Sequence, residues 1–213
     1  MMFKSIPAIP AIPAALLAML SVQVGASFAK GLFPVIGPEV MTTLRVGLSA
    51  LLLLAINRPN FGALNKQQWK FCLAYGFCLA AMNLIFYQAI ARIPLGLAVT
   101  VEFTGPLFLA FLASRKALDI LWALLATLGI AFIVPWQSSN IDPIGLGFAF
   151  LAGLFWAGYI LIAGKAGKLL ELPIALTVSM SIATLLVLPF GISSGGFASM
   201  NLNYLAIGFA VAI

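Results

Sequence analysis

The sequence predicts an all-α protein that crosses a membrane several times. Hydrophobic residues make up 63% of its 213 residues and charged residues only 8%, whereas about a quarter of the residues in an ordinary soluble domain are charged. The mean hydropathy is +1.16. Apolar windows of about twenty residues, the length of helix that crosses a bilayer, recur along the chain. We therefore expect a polytopic helical membrane protein.

Polar breaks divide the chain into seven apolar spans and the beginning of an eighth. The spans lie near residues 14–29, 40–56, 71–90, 95–114, 120–136, 144–163 and 174–191, and a shorter run occupies residues 204–213. The segment from Lys30 to Glu39 is predicted to be a polar break between the first two spans. The last run offers roughly ten residues, or about 15 Å of helix, which is half of what a bilayer needs. This short last run predicts that the chain is part of a longer protein.

The basic residues predict the orientation, because lysine and arginine concentrate in cytoplasmic loops. With a cytoplasmic N-terminus, Lys30 and Arg92 lie outside, and eight basic residues lie inside. Those eight are Lys4, Arg58, Lys66, Lys70, Arg115, Lys116, Lys165 and Lys168. Their position serves topology, so we expect no substrate role for them. No basic patch alternates with aromatic residues, and no nucleic-acid partner is expected.

Two ionisable residues lie within predicted spans at similar depth. Arg45 is about 10 Å and Glu102 about 12 Å from the outer ends of their spans. Because each would cost roughly 3 kcal/mol if it faced lipid, we expect a shared interior cavity or a direct pair. The Gly105-Pro106 step predicts a kink beside Glu102. The alternative is a buried ion pair that only stabilises helix packing.

Other polar and aromatic residues are candidates for lining the same cavity, bounded by spans one to four and six. They are Gln23, Ser27, Asn83, Tyr87, Thr104, Gly105, Pro106, Trp156 and Tyr159. Taken singly, the polar ones more often hydrogen-bond a neighbouring helix. Glu102 is the one intramembrane residue that could carry a proton.

The sequence contains no recognisable catalytic or metal-binding motif. It has no histidine, which excludes histidine-dependent triads and HExxH zinc sites. Nucleotide-binding glycine motifs are absent, so nothing indicates ATP as the energy source. Cys72 and Cys78 are six residues apart on one predicted helix, and we expect them to be free. We expect no enzyme, no metal and no cofactor.

Two parts of the chain resemble each other at an offset of 135 residues. When residues 38–54 are aligned with residues 173–188, Thr42 falls on Thr177 and Leu51 on Leu186. The aligned spans are the second and the seventh. An odd number of spans per repeat inverts the second copy, as in many secondary transporters.

Several motifs together carry a resemblance to a known family. They are Gly25-Ala26-Ser27 with Lys30, Arg45, Pro94-Leu95-Gly96, Glu102-Phe103-Thr104-Gly105-Pro106, Ser114-Arg115, and Trp156-Ala157 with Tyr159. From about Leu16 onward, the chain resembles EamA-type members of the drug/metabolite transporter superfamily. Within that superfamily it is most similar to the inner-membrane exporters of threonine and homoserine.

The resemblance implies ten helices in two inverted five-helix repeats with both ends cytoplasmic. The first repeat would occupy residues 1–137, and residues 138–213 would form the incomplete start of the second. The chain would then contain about seven and a half of the ten helices. The implied function is secondary export of small amino acids, or related metabolites, across the bacterial inner membrane by alternating access. Glu102 would then bind the substrate amine or a coupling proton, and Arg45 would be its partner or bind the substrate carboxylate. The alternatives are an exporter of another metabolite class and a non-transporting membrane fragment or scaffold. The oligomeric state is not predicted.

Overall fold

The computed structural model describes residues 11–113, 117–133 and 141–212, and every regular element in them is helical. The helices are α1 (Ala11–Asn57), α2 (Lys66–Arg92), α3 (Leu95–Glu102), α4 (Thr104–Ala113), α5 (Ala117–Ile133), α6 (Pro143–Ala166), α7 (Leu172–Ser193) and α8 (Leu202–Ala212). Short 3-10 turns occupy Phe61–Ala63 and Gly196–Ser199. The predicted all-α polytopic class is confirmed.

Five of the described stretches are long and apolar enough to cross a membrane. They are Leu16–Asn57, Lys66–Arg92, Leu95–Ala113, Pro143–Ala166 and Leu172–Ser193. The predicted fifth span corresponds to the 17-residue α5, and its predicted last residues, 134–136, lie outside the described part. Lys4, Ser114, Arg115 and Lys116, which entered the topology prediction or the motifs, lie outside it as well.

The polar break predicted from Lys30 to Glu39 is wrong, because these residues are helical except for one. α1 has 47 residues, and only Gly37 inside it leaves the helical region, with φ 78° and ψ 158°. Glycine adopts a positive φ without steric cost, and Pro38 is suited to the first position of the helix that follows. A single residue therefore separates two spans, α1a (residues 11–36) and α1b (residues 38–57).

The fourth span is interrupted beside the predicted Gly105-Pro106 step, and it consists of the two helices α3 and α4. The interruption falls at Phe103. Pro106 has no N–H group to donate to the carbonyl of Glu102 four residues earlier, so the helical ladder loses a hydrogen bond there. Glu102 is consequently the last residue of α3.

The loops lie at two opposite ends of the bundle, called the Pro94 end and the Asn57 end. At the Pro94 end, α1 bends, α2 passes into α3 and α6 begins, and Lys30 Nζ donates a hydrogen bond to the carbonyl of Ile93 over 2.8 Å. Arg92 Nε there lies 3.8 Å from Asp142 Oδ2. At the opposite Asn57 end, α1 stops, α2 begins and α6 gives way to α7.

The helices α1b and α7 are antiparallel neighbours that begin with the same local bond. Thr42 Oγ1 donates to the carbonyl of Pro38 over 2.8 Å, and Thr177 Oγ1 donates to the carbonyl of Pro173 over 2.7 Å. Both threonines are fully buried. At the Asn57 end, Asn57 Nδ2 donates to Thr177 Oγ1 over 2.8 Å, which ties the end of one helix to the start of the other.

A packed apolar core occupies the half of the bundle toward the Pro94 end. It is formed by α1, α2, α3 and α6, and its fully buried large side chains are Ile36, Val40, Met41, Tyr87, Ile90 and Ile93. Cys72 and Cys78 lie on α2 and are both free and buried, as predicted. The candidate site lies on the other side of this core.

Candidate functional site

A cavity of about 510 Å³ lies between α1, α2, α3 and α6, which correspond to the predicted spans one to four and six. Its apolar wall is formed by Ala18, Met19, Val22, Leu79, Met82, Phe86, Val99, Phe103 and Trp156, and its polar groups belong to Gln23, Arg45, Asn83, Glu102 and Tyr159. Hydrophobic walls with a few convergent polar groups are typical of small-molecule sites.

The cavity extends toward the Asn57 end. At 1.5 Å per residue, Gln23 lies about 21 Å below the bend at Gly37, and Trp156 lies about 20 Å below the start of α6. The packed core fills the bundle above them, toward the Pro94 end. The cavity is therefore closed at one end of the protein.

Glu102 lies on this cavity at the break between α3 and α4, and 8% of its surface is exposed. Within the described part of the chain, its carboxylate forms no hydrogen bond and no ion pair. Arg45 faces the same cavity from α1b. Of the two predicted arrangements, the structure has the shared cavity and not the direct pair.

Arg45 is held by Tyr87 on α2. Its Nη1 atom donates to the Tyr87 hydroxyl over 3.4 Å, and its guanidinium carbon lies 5.7 Å from the centre of the Tyr87 ring. Tyr87 is fully buried, and its ring centre lies 5.5 Å from that of Phe33. The Arg45 guanidinium is thus held against the packed core by its contacts with Tyr87.

Aromatic contacts and one hydrogen bond from a side-chain amide support the walls of the cavity. The ring centres of Phe103 and Trp156 are 4.7 Å apart in an edge-to-face arrangement, which braces the break beside Glu102. Tyr159 stacks on Tyr75 with 5.3 Å between ring centres. Asn83 Nδ2 donates to the carbonyl of Leu79 over 2.8 Å, so the amide oxygen is left for the cavity.

Tyr87 was expected to line the cavity but is buried in the packed core, and the remaining candidates do not line the cavity either. Ser27 is exposed, and Pro106 is half-buried next to the break. Thr104 Oγ1 donates to the carbonyl of Val101 over 2.6 Å and faces a smaller space between α4 and α5. Gly105 packs against α6. Thr104, Gly105 and Pro106 therefore shape the helix that carries Glu102.

A contact between glycines sets the distance between this broken helix and α6. A Cβ atom on Gly105 would lie 1.9 Å from the carbonyl oxygen of Gly153, and one on Gly153 would lie 2.4 Å from the carbonyl oxygen of Glu102. The two backbones touch, as at other helix crossings in membranes that depend on small residues. This contact positions Glu102 relative to Trp156.

Sequence reasoning missed the apolar wall, including Met19, Met82 and Phe86. Apolar residues inside apolar spans give no signal that separates a cavity wall from a lipid-facing surface. Phe103 could have been found, because it stands between Glu102 and the glycine-proline step. Among the described residues, no cluster of acidic, cysteine or histidine side chains could hold a metal ion.

Comparison with curated proteins identifies the family. The chain is 39% identical over 212 residues to the threonine/homoserine exporter RhtA of Salmonella typhimurium and to that of Escherichia coli, an alignment that covers 99% of this chain and 72% of each relative. The chain belongs to the threonine/homoserine exporter family. The resemblance of its motifs to these exporters is thereby confirmed.

Part of the chain is also similar to another curated transporter. An uncharacterized transporter of Synechocystis is 30% identical over 142 residues, which is 62% of this chain and 40% of that protein. No protein-family profile matches the chain. No solved structure matches it either.

Proposed function

We propose that this protein exports small amino acids, such as threonine and homoserine, across the bacterial inner membrane. The observation that carries the proposal is one apolar-walled cavity lined by both Glu102 and Arg45 in a chain of the exporter family. A charged side chain within the membrane is costly and usually marks a substrate or ion pathway. Two opposite charges that are not paired with each other suit a zwitterion.

Each end of the substrate has a partner in this proposal. Glu102 binds the substrate ammonium group, or a coupling proton when no substrate is bound, and Arg45 binds the substrate carboxylate. Charge-assisted hydrogen bonds are about twice as strong as neutral ones, so these two contacts supply most of the orientation. Gln23, Asn83 and Tyr159 are left to hydrogen-bond a polar substrate side chain.

The N-terminus is cytoplasmic in this proposal, and the cavity faces inward. Lys30 and Arg92 lie at the Pro94 end, whereas Arg58, Lys66 and Lys165 lie toward the Asn57 end. The positive-inside rule then makes the Asn57 end cytoplasmic. Because the packed core closes the Pro94 end, the cavity receives substrate from the cytoplasm.

The two-repeat organisation also stays a proposal, with a first five-helix repeat at residues 1–137 and the start of an inverted second repeat at 138–213. It is supported by the bonds from Thr42 to Pro38 and from Thr177 to Pro173, at equivalent positions of antiparallel helices. Inverted repeats of this kind underlie alternating access in many secondary transporters.

Cysteine labelling tests the orientation and the inversion together. Asn60→Cys lies in the loop after α1, and Ser194→Cys lies at the end of α7. In intact cells we expect a membrane-impermeant maleimide to label Ser194→Cys, and to label Asn60→Cys only after lysis. The buried native cysteines provide a low background. Labelling of both in intact cells, or of Asn60→Cys alone, would contradict the orientation.

Efflux of labelled threonine tests the function. We would compare cells that carry an empty vector, this chain, or a chimera in which this chain replaces the matching 72% of the Escherichia coli relative. The proposal predicts faster efflux from the chimera than from the vector control, and efflux from the chain alone if residues 1–213 suffice. Efflux at the vector rate in both arms would rule out threonine export.

A further inference from the structure

The arrangement of Arg45 raises a physical problem. Arg45 and Glu102 face the same cavity, whose walls are mostly apolar. Opposite charges attract more strongly in such surroundings than in water. If Arg45 turned toward Glu102, its guanidinium would no longer face the carboxylate of an incoming zwitterion.

Among the described residues, Arg45 forms no ion pair with Glu102 and bonds to Tyr87 instead. The Arg45 guanidinium donates to the Tyr87 hydroxyl over 3.4 Å and lies 5.7 Å from the centre of the Tyr87 ring. A cation over an aromatic face is attracted by the ring quadrupole. Tyr87 is 0% exposed and packs between Phe33 and Phe86, so it cannot follow Arg45 toward Glu102.

We propose that Tyr87 is a positioning residue that keeps Arg45 apart from Glu102 and directs its guanidinium to the carboxylate of the substrate. The inference rests on the proposed function, since it assumes that an amino acid binds in this cavity. It defines the substrate class more narrowly as molecules with both an ammonium group and a free carboxylate at the spacing of an amino acid.

Tyr87 acts through Arg45, so its removal should change the preference for a carboxylate rather than binding in general. Tyr87→Phe keeps the ring and its packing and deletes only the hydroxyl. Loss of a hydrogen bond to a charged group corresponds to about a tenfold change in affinity. Tyr204→Phe is the matched control, because Tyr204 lies on α8 and does not line the cavity.

The experiment is a competition in inside-out membrane vesicles. Uptake of labelled threonine is inhibited with unlabelled threonine or with threoninamide, which lacks the carboxylate, at matched amounts of exporter. We expect threonine to compete far better than threoninamide for the unsubstituted protein and for Tyr204→Phe. In Tyr87→Phe the ratio should fall by about tenfold. Because Arg45→Gln is itself expected to lose transport, its ratio is measured as competition for binding to purified protein, and adding Tyr87→Phe should change that ratio no further.

Other outcomes separate this inference from the proposed function. If Tyr87→Phe weakens competition by threonine and threoninamide equally, or keeps the original ratio, Tyr87 does not position Arg45, although threonine transport still stands. If the unsubstituted protein transports no threonine, the proposed function fails and this inference fails with it.

Discussion

Replacing Glu102 by glutamine is expected to abolish threonine export while leaving the amount of protein in the membrane unchanged. The amide has nearly the same size as the carboxylate, and within the described residues the carboxylate forms no hydrogen bond or ion pair that its loss would break. A contact with a charged group contributes about 1.5–3 kcal/mol, so substrate affinity should fall by about ten- to a hundredfold. Efflux and immunoblotting of the same cells measure both quantities.

Matched variants show whether the effect is specific to the cavity. Glu171→Gln removes a carboxylate that is exposed at the start of α7 and caps no backbone group, so it should export normally. Arg45→Gln should lose export as Glu102→Gln does, and the exposed Arg58→Gln should not. A purely structural role for Glu102 would give the reverse pattern, with less protein and normal export per molecule.

Alanine at Gly153 or Gly105 is expected to produce a large loss of stability. The new methyl group would lie 2.4 Å from the carbonyl oxygen of Glu102 or 1.9 Å from that of Gly153, and both are backbone atoms that cannot turn aside. Forced overpacking typically costs about 1–3 kcal/mol, and backbone-to-backbone contacts belong at the upper end. Thermal unfolding of the protein in detergent should show a clear decrease in midpoint.

Two other glycines, one on α6 and one on α3, provide controls. Gly147 lies on α6 and Gly96 on α3, and a Cβ atom on either would meet nothing within 4 Å. Alanine favours a helix over glycine by about 1 kcal/mol, so Gly147→Ala and Gly96→Ala should keep or raise stability. Equal midpoints for Gly153→Ala and Gly147→Ala would show that α3 and α6 are not in backbone contact.

The membrane-spanning, helical nature of the chain was readable from the sequence because long apolar windows depend only on the thickness of a bilayer. The boundary between the first two spans was not. Lys30 and Glu39 look like loop residues, yet in the structure both lie in α1. Lys30 donates to the carbonyl of Ile93, just after α2, and Glu39 accepts a hydrogen bond from Gln88 on α2. One glycine with a positive φ turns the chain there. Hydrogen bonds between distant parts of the chain leave no pattern in the local sequence from which they could be predicted.

The candidate site, too, was predictable from the sequence in part only. Charge in the membrane and similar depth along two helices pointed to Glu102 and Arg45, and the structure places both on one cavity. Helix depth carries no information on rotation about the helix axis, and so Ser27 was expected in the cavity but is exposed. The role of Gly105 depends on Gly153, a partner 48 positions away that only the packing of α4 on α6 reveals.

Binding of labelled threonine to purified protein tests most directly the central claim that Glu102 and Arg45 form the substrate site. The measurement compares unsubstituted protein, Glu102→Gln and Glu171→Gln, each as this chain and as the chimera with the Escherichia coli relative. We predict saturable binding for the unsubstituted protein and Glu171→Gln, and a loss of at least about tenfold in affinity for Glu102→Gln. Equal affinity in all three, or no binding by the unsubstituted protein in either form, would contradict the account.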